Sequence, residues 1–359
     1  MNKRKRHTLL IMIIVLSICL ICKYYVRPKT KYILYWTKMF DRDDFNFGFG
    51  SKIFENCLMN NCFATNNRSL KRTEEFDAIL FHGVEYILNG QYGTPEKRHP
   101  NQVYIFMSQE SESNTLPILG DFDGFYNWTM TYRLDSDIVR PYGYIYYLLP
   151  SQKPPTLPTI QDIEARPKKI AWMVSNCHSS SQREALAEEI DKYITVDIYG
   201  QCGTHFCSKD TAEACYNFLE DNYKFYLSFE NSYCKDYVTE KLYNILQKNL
   251  IPIVYGSGNY NIQAPPHSVI DVRNFESVKK LTDYLKELDE DPEEYLKYFE
   301  WKKKYSVNTS PQQTMCELCE KLNQPIENNI YESIQTWWKY SGCKYKEELP
   351  KIVPKDLLD

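Results

Sequence analysis

The chain has 359 residues, 43% of them hydrophobic, which is enough for two domains of ordinary size with substantial cores. A formal net charge of −4 excludes a general nucleic-acid binder. The 30 tyrosines and 17 phenylalanines suit a protein that handles amphipathic ligands such as sugars, although aromatic rings also simply fill cores.

The amino terminus reads MNKRKRH and then runs uncharged from Thr8 to Cys22. With Lys23 snorkelling and Tyr24 and Tyr25 at the interface, residues 8–26 are expected to form a signal-anchor transmembrane helix. The rival is a cleaved signal peptide and a soluble secreted protein, but no small-x-small cleavage site follows the apolar run. Lys3, Arg4, Lys5 and Arg6 hold a cytosolic tail, residues 1–7, by the positive-inside rule. Everything beyond is then lumenal. Of 12 cysteines, Cys19 and Cys22 fall in the anchor, and the even remainder sits in a compartment that favours disulfides. Three glycosylation sequons agree with that compartment: Asn67 in NRS, Asn127 in NWT and Asn308 in NTS, the last disfavoured by Pro311 directly after it.

The first half, residues 27–150, shows buried strands at YILYW (Tyr32–Trp36), DAILF (Asp77–Phe81) and QVYIFM (Gln102–Met107). The stretch Pro150 to Pro167 holds five prolines and is expected to be a linker, residues 151–168, rather than a surface loop within one domain. Strands and helices then alternate. KIAWMVS is a strand, SQREALAEEIDKY a helix, TVDIYG a strand and TAEACYNFLEDN a helix. KFYLSFE is a strand, a helix follows from Tyr237, and IPIVYG and SVIDV are strands. Strict alternation means α/β architecture, a parallel sheet with helices on both faces and ligands beyond the carboxyl ends of its strands. A helical stretch follows from Ser277, with Pro292 starting its second segment.

At that binding edge Asp236 is a candidate N-cap, and Val238, Leu242, Ile245 and Leu246 form the stripe that packs on the sheet. Tyr237, Glu240, Lys241 and Asn244 fall on another face. Lys241 near a helix N-terminus suits a phosphate, and Glu240 suits sugar hydroxyls; the bland alternative is a solvated charged pair. Arg183 lies near the start of the helix after an earlier strand, so two cations at matching strand-to-helix edges can share a pyrophosphate. Neither G-x-G-x-x-G nor a P-loop sequence occurs. The D-x-D tripeptides Asp121–Asp123 and Asp135–Asp137 are weak metal signals away from the second lobe, so no metal is expected in the chemical step. Cys57, Cys62, Cys316 and Cys319 have spacing compatible with a zinc site, but a lumenal setting favours disulfides.

The segment FYLSFENSYCKDYVTEKLYN…PIVYG resembles the signature of the α-1,3-fucosyltransferases, glycosyltransferase family 10. FMSQESESNT, FNWTMTYRLDSDIVRPYG, CFATNNRSL…DAILFH and IAWMVSN extend the resemblance in the expected order from about residue 45 to 320. GQCGTHFC and NSYCKDYVTEK look closer to invertebrate and plant members. The resemblance implies a GT-B fold, two Rossmann-like lobes facing a cleft, with the acceptor lobe first and a GDP-fucose lobe at residues 169–325 before a C-terminal tail, 326–359. It implies inverting transfer of L-fucose from GDP-β-L-fucose, in α-1,3 linkage, to a GlcNAc-type residue of a glycan on glycoprotein or glycolipid. It implies a Golgi membrane enzyme, single-pass type II. The alternative is an inactive, membrane-anchored sugar-binding protein of the same fold. By resemblance Arg183 and Lys241 hold the pyrophosphate, and Asn231, Tyr237 and Glu240 line the donor pocket. No cofactor is required, although stimulation by a divalent cation is compatible with it. Family members join two early cysteines to a late C-x-x-C, which implies two bridges between Cys57, Cys62 and Cys316, Cys319. The other six lumenal cysteines stay unassigned. Residue alternation does not choose between Glu110 and Glu112 as base, but alignment on Ser113-Asn114-Thr115 places the family's catalytic glutamate at Glu110. This chain departs from the family at Glu112, usually proline, and at Gly83, often histidine; both bear on acceptor specificity.

Overall fold

A computed structural model describes residues 28–83, 92–114, 122–207, 212–327, 329–339, 342–345 and 348–353. The expected anchor at 8–26 lies outside them, as does Asp121. Among the described residues no helix is long and apolar enough to cross a membrane.

The first half forms β1 (Lys31–Tyr35), β2 (Cys62–Thr65), β3 (Ala78–His82), β4 (Val103–Ser108), β5 (Trp128–Thr131) and β6 (Ile138–Val139). They make one sheet in the order β2-β1-β3-β4-β5-β6, parallel throughout. Strand β4 shows why: Val103, Ile105 and Met107 bury on one face, Tyr104 and Phe106 on the other. A strand buried on both faces reads as a continuous apolar run.

Next come β7 (Tyr144–Tyr147), α1 (Ile160–Glu164), β8 (Lys168–Met173), α2 (Arg183–Asp191), β9 (Val196–Tyr199) and α3 (Ala212–Asn222). They are followed by β10 (Tyr223–Phe229), α4 (Glu240–Leu246), β11 (Ile251–Tyr255), α5 (Tyr260–Gln263), β12 (Ile270–Asp271), α6 (Val278–Glu290) and α7 (Pro292–Lys297). The second sheet runs β12-β11-β10-β8-β9, again all parallel. Leu186 and Ile190 of α2, Leu281 and Leu285 of α6 and Tyr295 of α7 cover one face, while Leu219 of α3 and Leu242 and Ile245 of α4 cover the other. The proline-rich stretch is not wholly connector. Thr159 caps α1 through a bond to Asp162 N, and Ile163 is buried in the second sheet's core.

The chain then returns to its first half. Strand β13 (Tyr305–Asn308) pairs antiparallel with β7. Helix α8 (Gln312–Leu322) buries Met315, Leu318, Cys319 and Leu322 against one face of the first sheet, and α9 (Ile334–Lys339) brings Ile334 and Trp338 to the other. Residues 312–322, expected in the second lobe, therefore pack with the first.

Disulfides Cys57–Cys316 and Cys62–Cys319 fasten α8 there, across sequence separations of 259 and 257 residues. The remaining pairs are Cys177–Cys202, Cys207–Cys215 and Cys234–Cys343. The three sequons part company. Asn67 and Asn308 are exposed. Asn127 is only 5% exposed; its Oδ1 accepts from Tyr104 N at 2.8 Å and its Nδ2 donates to Asn329 O at 3.1 Å.

Closing a long loop in the unfolded chain is where a disulfide stabilises most in the chain-entropy account. Replacing Cys62 and Cys319 together by serine is expected to lower unfolding free energy by about 2–5 kcal/mol in urea titration. An unchanged midpoint would sink this reading of the α8 clasp.

Candidate active site

The second sheet's order, counted from β8, is 2-1-3-4-5. Its connections reverse direction between β8 and β10, and in open parallel sheets that crevice is where ligands bind. The residues singled out from sequence gather there from two loops.

After β8, Gln182 takes a left-handed conformation (φ 56°) and α2 starts at Arg183. The guanidinium is 3% exposed. It donates to Phe229 O at 2.9 Å, to Asn176 O at 2.9 Å and to Glu184 Oε1 at 3.3 Å. Arg183 thus ties the ends of β8 and β10 together, and three of its five N–H groups bond to protein. Asn231 braces the same junction, since its carbonyl accepts from Ser181 N and Ser180 Oγ, both at 3.3 Å.

After β10 comes Glu230, 1% exposed. Its carboxylate accepts from Thr239 N at 2.8 Å and from Thr239 Oγ1 at 2.8 Å, and pairs with Lys241 Nζ at 3.3 Å. Helix α4 begins at Glu240, not Tyr237, and its cap is Thr239, whose Oγ1 accepts from Lys241 N at 3.4 Å. Asp236, the cap expected from sequence, is left-handed (φ 61°) and buried, and its carboxylate accepts from Leu134 N in the first lobe at 3.2 Å. Tyr237 is accordingly off the helix. Its ring meets Tyr132 at 4.8 Å and Tyr142 at 6.4 Å, both edge to face.

Lys241 Nζ bonds Thr239 Oγ1 at 2.8 Å and Glu240 Oε1 at 3.2 Å, with 21% of the side chain exposed. Burial alone would lower its pKa, but Glu230 and Glu240 outweigh burial and raise it. Lys241 is therefore held in its ammonium form near neutral pH. Arg183 lies close enough to oppose it, so the two cations share one field. Burial pushes the Glu230 carboxyl up against the pull of Lys241.

From the first lobe, the loop after β4 meets both of these loops. Ser111 Oγ and Ser113 Oγ each bond Ser232 Oγ at 2.7 Å, and Ser180 Oγ reaches Ser113 Oγ at 3.3 Å. Glu110 precedes this contact and accepts from Asn114 Nδ2 at 3.2 Å. Burial raises Tyr142 and Tyr237 well above an ordinary phenol, and the carboxylates of Glu110, Glu230 and Glu240 add to that at both. Glu110 therefore converges with the second lobe's cluster on one pair of protonated phenols. Glu112, on the short turn Glu112–Asn114, acts on Tyr132 and Tyr345 instead. The second D-x-D is engaged elsewhere: Asp135 pairs with Arg133 at 2.6 Å, and Asp137 accepts from Thr129 N at 2.9 Å. Sequence reasoning gave no role to Glu230, Thr239 or Tyr142; Glu230 stood inside the quoted FEN signature, which was its one signal.

Comparison with known proteins gives this geometry its class. The description "Fucosyltransferase, N-terminal" matches residues 28–143, and "Glycosyltransferase family 10 (fucosyltransferase) C-term" matches residues 163–337. Alpha-(1,3)-fucosyltransferase C of Drosophila melanogaster is 36% identical over 345 residues, 89% of this chain and 80% of that protein. A 3-galactosyl-N-acetylglucosaminide 4-alpha-L-fucosyltransferase of Bos taurus is 38% identical over 283 residues, 77% of this chain and 74% of that protein. A crystal structure of an alpha1,3-fucosyltransferase with GDP-fucose has the same fold, at TM-score 0.54 and 17% identity, covering 85% of this chain and 94% of that one. The protein is a glycosyltransferase. Within that class the chain belongs to family 10, the fucosyltransferases.

Glu230→Ala removes the acceptor of the Thr239 bonds and one of the two carboxylates paired with Lys241. It is expected to cost about 1–3 kcal/mol in chemical denaturation, the penalty of leaving buried donors at Thr239 unsatisfied. Glu230→Gln, which keeps an acceptor for Thr239 N–H, should cost measurably less. Equal losses would refute the hydrogen-bonding role given to this carboxylate.

Proposed function

We propose that this chain is an inverting α-1,3-fucosyltransferase that takes L-fucose from GDP-β-L-fucose to a GlcNAc-type residue of a glycan on glycoprotein or glycolipid. The observation that carries the reading is that Tyr142, which donates to Gln109 O at 2.6 Å beside Glu110 and meets the Tyr237 ring, lies in the field of Glu110 from one lobe and of Glu230 and Glu240, both paired with Lys241, from the other. A base from one lobe then faces cations of the other across the switch point of the second sheet. Glu110 takes the acceptor hydroxyl's proton as that oxygen attacks the anomeric carbon from the face opposite the diphosphate. The carbon–oxygen bond to the diphosphate breaks, GDP leaves with the electron pair, and Lys241 and Arg183 stabilise its charge. Asn231, Tyr237 and Glu240 line the donor pocket, Tyr237 as a neutral hydroxyl donor. Residues 27–150 form the acceptor side. The uncharged run from Thr8 supports a type II anchor in the Golgi membrane with the catalytic region lumenal.

The deciding assay is GDP-fucose turnover against acceptors carrying LacNAc, LacdiNAc or the chitobiose core. Transfer to at least one is expected; hydrolysis-free GDP-fucose binding with no transfer to any would favour the inactive sugar-binding alternative.

Glu110→Gln should cut turnover by about 10²–10⁴-fold while GDP still binds, and Glu112→Gln should stay largely active. The reverse pattern would move the base to Glu112. Lys241→Ala is expected to raise the KM for GDP-fucose and lower kcat, because the cation serves both binding and departure. Arg183→Ala should do the same and also lower Tm, since its guanidinium holds two strand ends. Unchanged donor kinetics in both would remove the donor from this crevice. With two fixed cations on the leaving group, turnover should persist in excess EDTA; complete loss restored by metal would contradict that.

A further inference from the structure

Asn308 ends β13, and the register with β7 sets it directly opposite Tyr144, with Ser306 opposite Tyr146. Directly opposed residues of an antiparallel pair project to the same face, their Cβ atoms about 4.5–5.5 Å apart, with diagonal neighbours about 7–8 Å away. That face carries Tyr144 and Tyr146 stacked at 6.0 Å. Tyr146 keeps 37% of its surface exposed, and Asn308 is exposed beside it. Helix α8 flanks the pair with Gln313 and Glu317, bonded to each other at 3.1 Å. Glu317 is close enough to act electrostatically on both phenols. Tyr147 and Tyr305 lie on the opposite face, their hydroxyls 3.2 Å apart. In the turn that follows, Asn308 Oδ1 accepts from Ser310 N at 2.8 Å.

We propose that Asn308 carries an N-linked glycan whose first GlcNAc lies on the Tyr144–Tyr146 face. The inference rests on the lumenal reading given above. An oligosaccharide passes from a lipid-linked pyrophosphate donor to Nδ2: the anomeric C–O bond breaks, the N–C bond forms, the amide loses one proton and the lipid pyrophosphate leaves. A sugar ring has an apolar C–H face and a rim of hydroxyls. Stacked phenol rings match the first, and the Glu317 carboxylate with the Gln313 amide matches the second. The site is also placed to matter, because β7 leaves the first sheet and β13 follows the second, so their ribbon joins the lobes. The sugar thereby covers an aromatic face at the junction.

The test uses the full chain from a eukaryotic secretory host. Glycopeptide mass spectrometry should find Asn67 and Asn308 occupied. Asn308→Gln should lower Tm by about 2 °C or more. Tyr146→Ala should abolish the difference between glycosylated and Asn308→Gln protein, whereas Tyr147→Ala, on the other face, should preserve it. Asn67 occupied with Asn308 bare would overturn the proposal while leaving the lumenal reading intact; both bare would overturn both. An occupied Asn308 whose loss shifts Tm equally with and without Tyr146 would place the glycan away from this face. Tyr146→Ala raising an acceptor's KM while Asn308 is bare would assign the face to acceptor binding instead.

Discussion

An ionised carboxylate at the end of a fully buried strand costs several kcal/mol unless donors meet it, and Glu230 stands in that position at the end of β10. Thr239 N–H and Oγ1 and the Lys241 ammonium meet it. Each donor constrains the chain. Thr239 can bond Glu230 and cap α4 together only if the helix starts at Glu240. Once it does, Lys241 lies in the first turn and its ammonium is drawn between Glu230 and Glu240. The eight residues between Glu230 and Thr239 must then loop away from the sheet, and they do so through a left-handed Asp236. A buried charge thus sets the helix register and aims the cation.

The same excursion joins the lobes. Tyr237 and Cys234 are buried in the first lobe's aromatic cluster with Tyr132, Phe106 and Trp338. Cys234 is further bound to Cys343 in the C-terminal segment, and Asp236 accepts from Leu134 N. At Gly143, a Cβ would stand 2.4 Å from the Tyr243 ring of α4, so the strand leaving the first lobe approaches that helix closely enough to require glycine. The loop that presents the second lobe's chemistry is therefore built into the first lobe's core. Motion of one lobe against the other would carry that loop with it or break this packing.

Much of this was legible in the chain. Alternating β and α signals gave the second lobe nearly element by element, because buried parallel strands are apolar runs and their helices are amphipathic. Legibility failed where local signals compete or where distance decides. Asp236 and Thr239 are both good caps, and only the buried Glu230 chooses between them. Glu110 and Glu112 were inseparable as alternating residues of an extended loop; a turn at Glu112–Asn114 separates them. Strands β2 and β5 are four residues each and went unread. The seat of α8 on the first sheet depends on partners more than 250 residues away in sequence, which no local pattern encodes.

The crowding of negative charge around Tyr142 and Tyr237 bears on which group can accept a proton. Burial and three nearby carboxylates hold both phenols protonated, so neither is a base near neutral pH. Of the carboxylates, Glu230 is filled by Thr239 and Lys241, and Lys241 together with its neighbours draws Glu240 below the usual range although its surroundings oppose ionisation. A carboxylate stabilised by a fixed cation is a poor proton acceptor. Glu110 has no ion pair among the described residues and accepts from a neutral amide, Asn114. It also enters from the opposite lobe, where an acceptor sugar would come between it and the cations. On the proposed reading, cations fixed on one wall and a carboxylate with no ion pair among the described residues on the other would let a proton and a diphosphate depart in opposite directions.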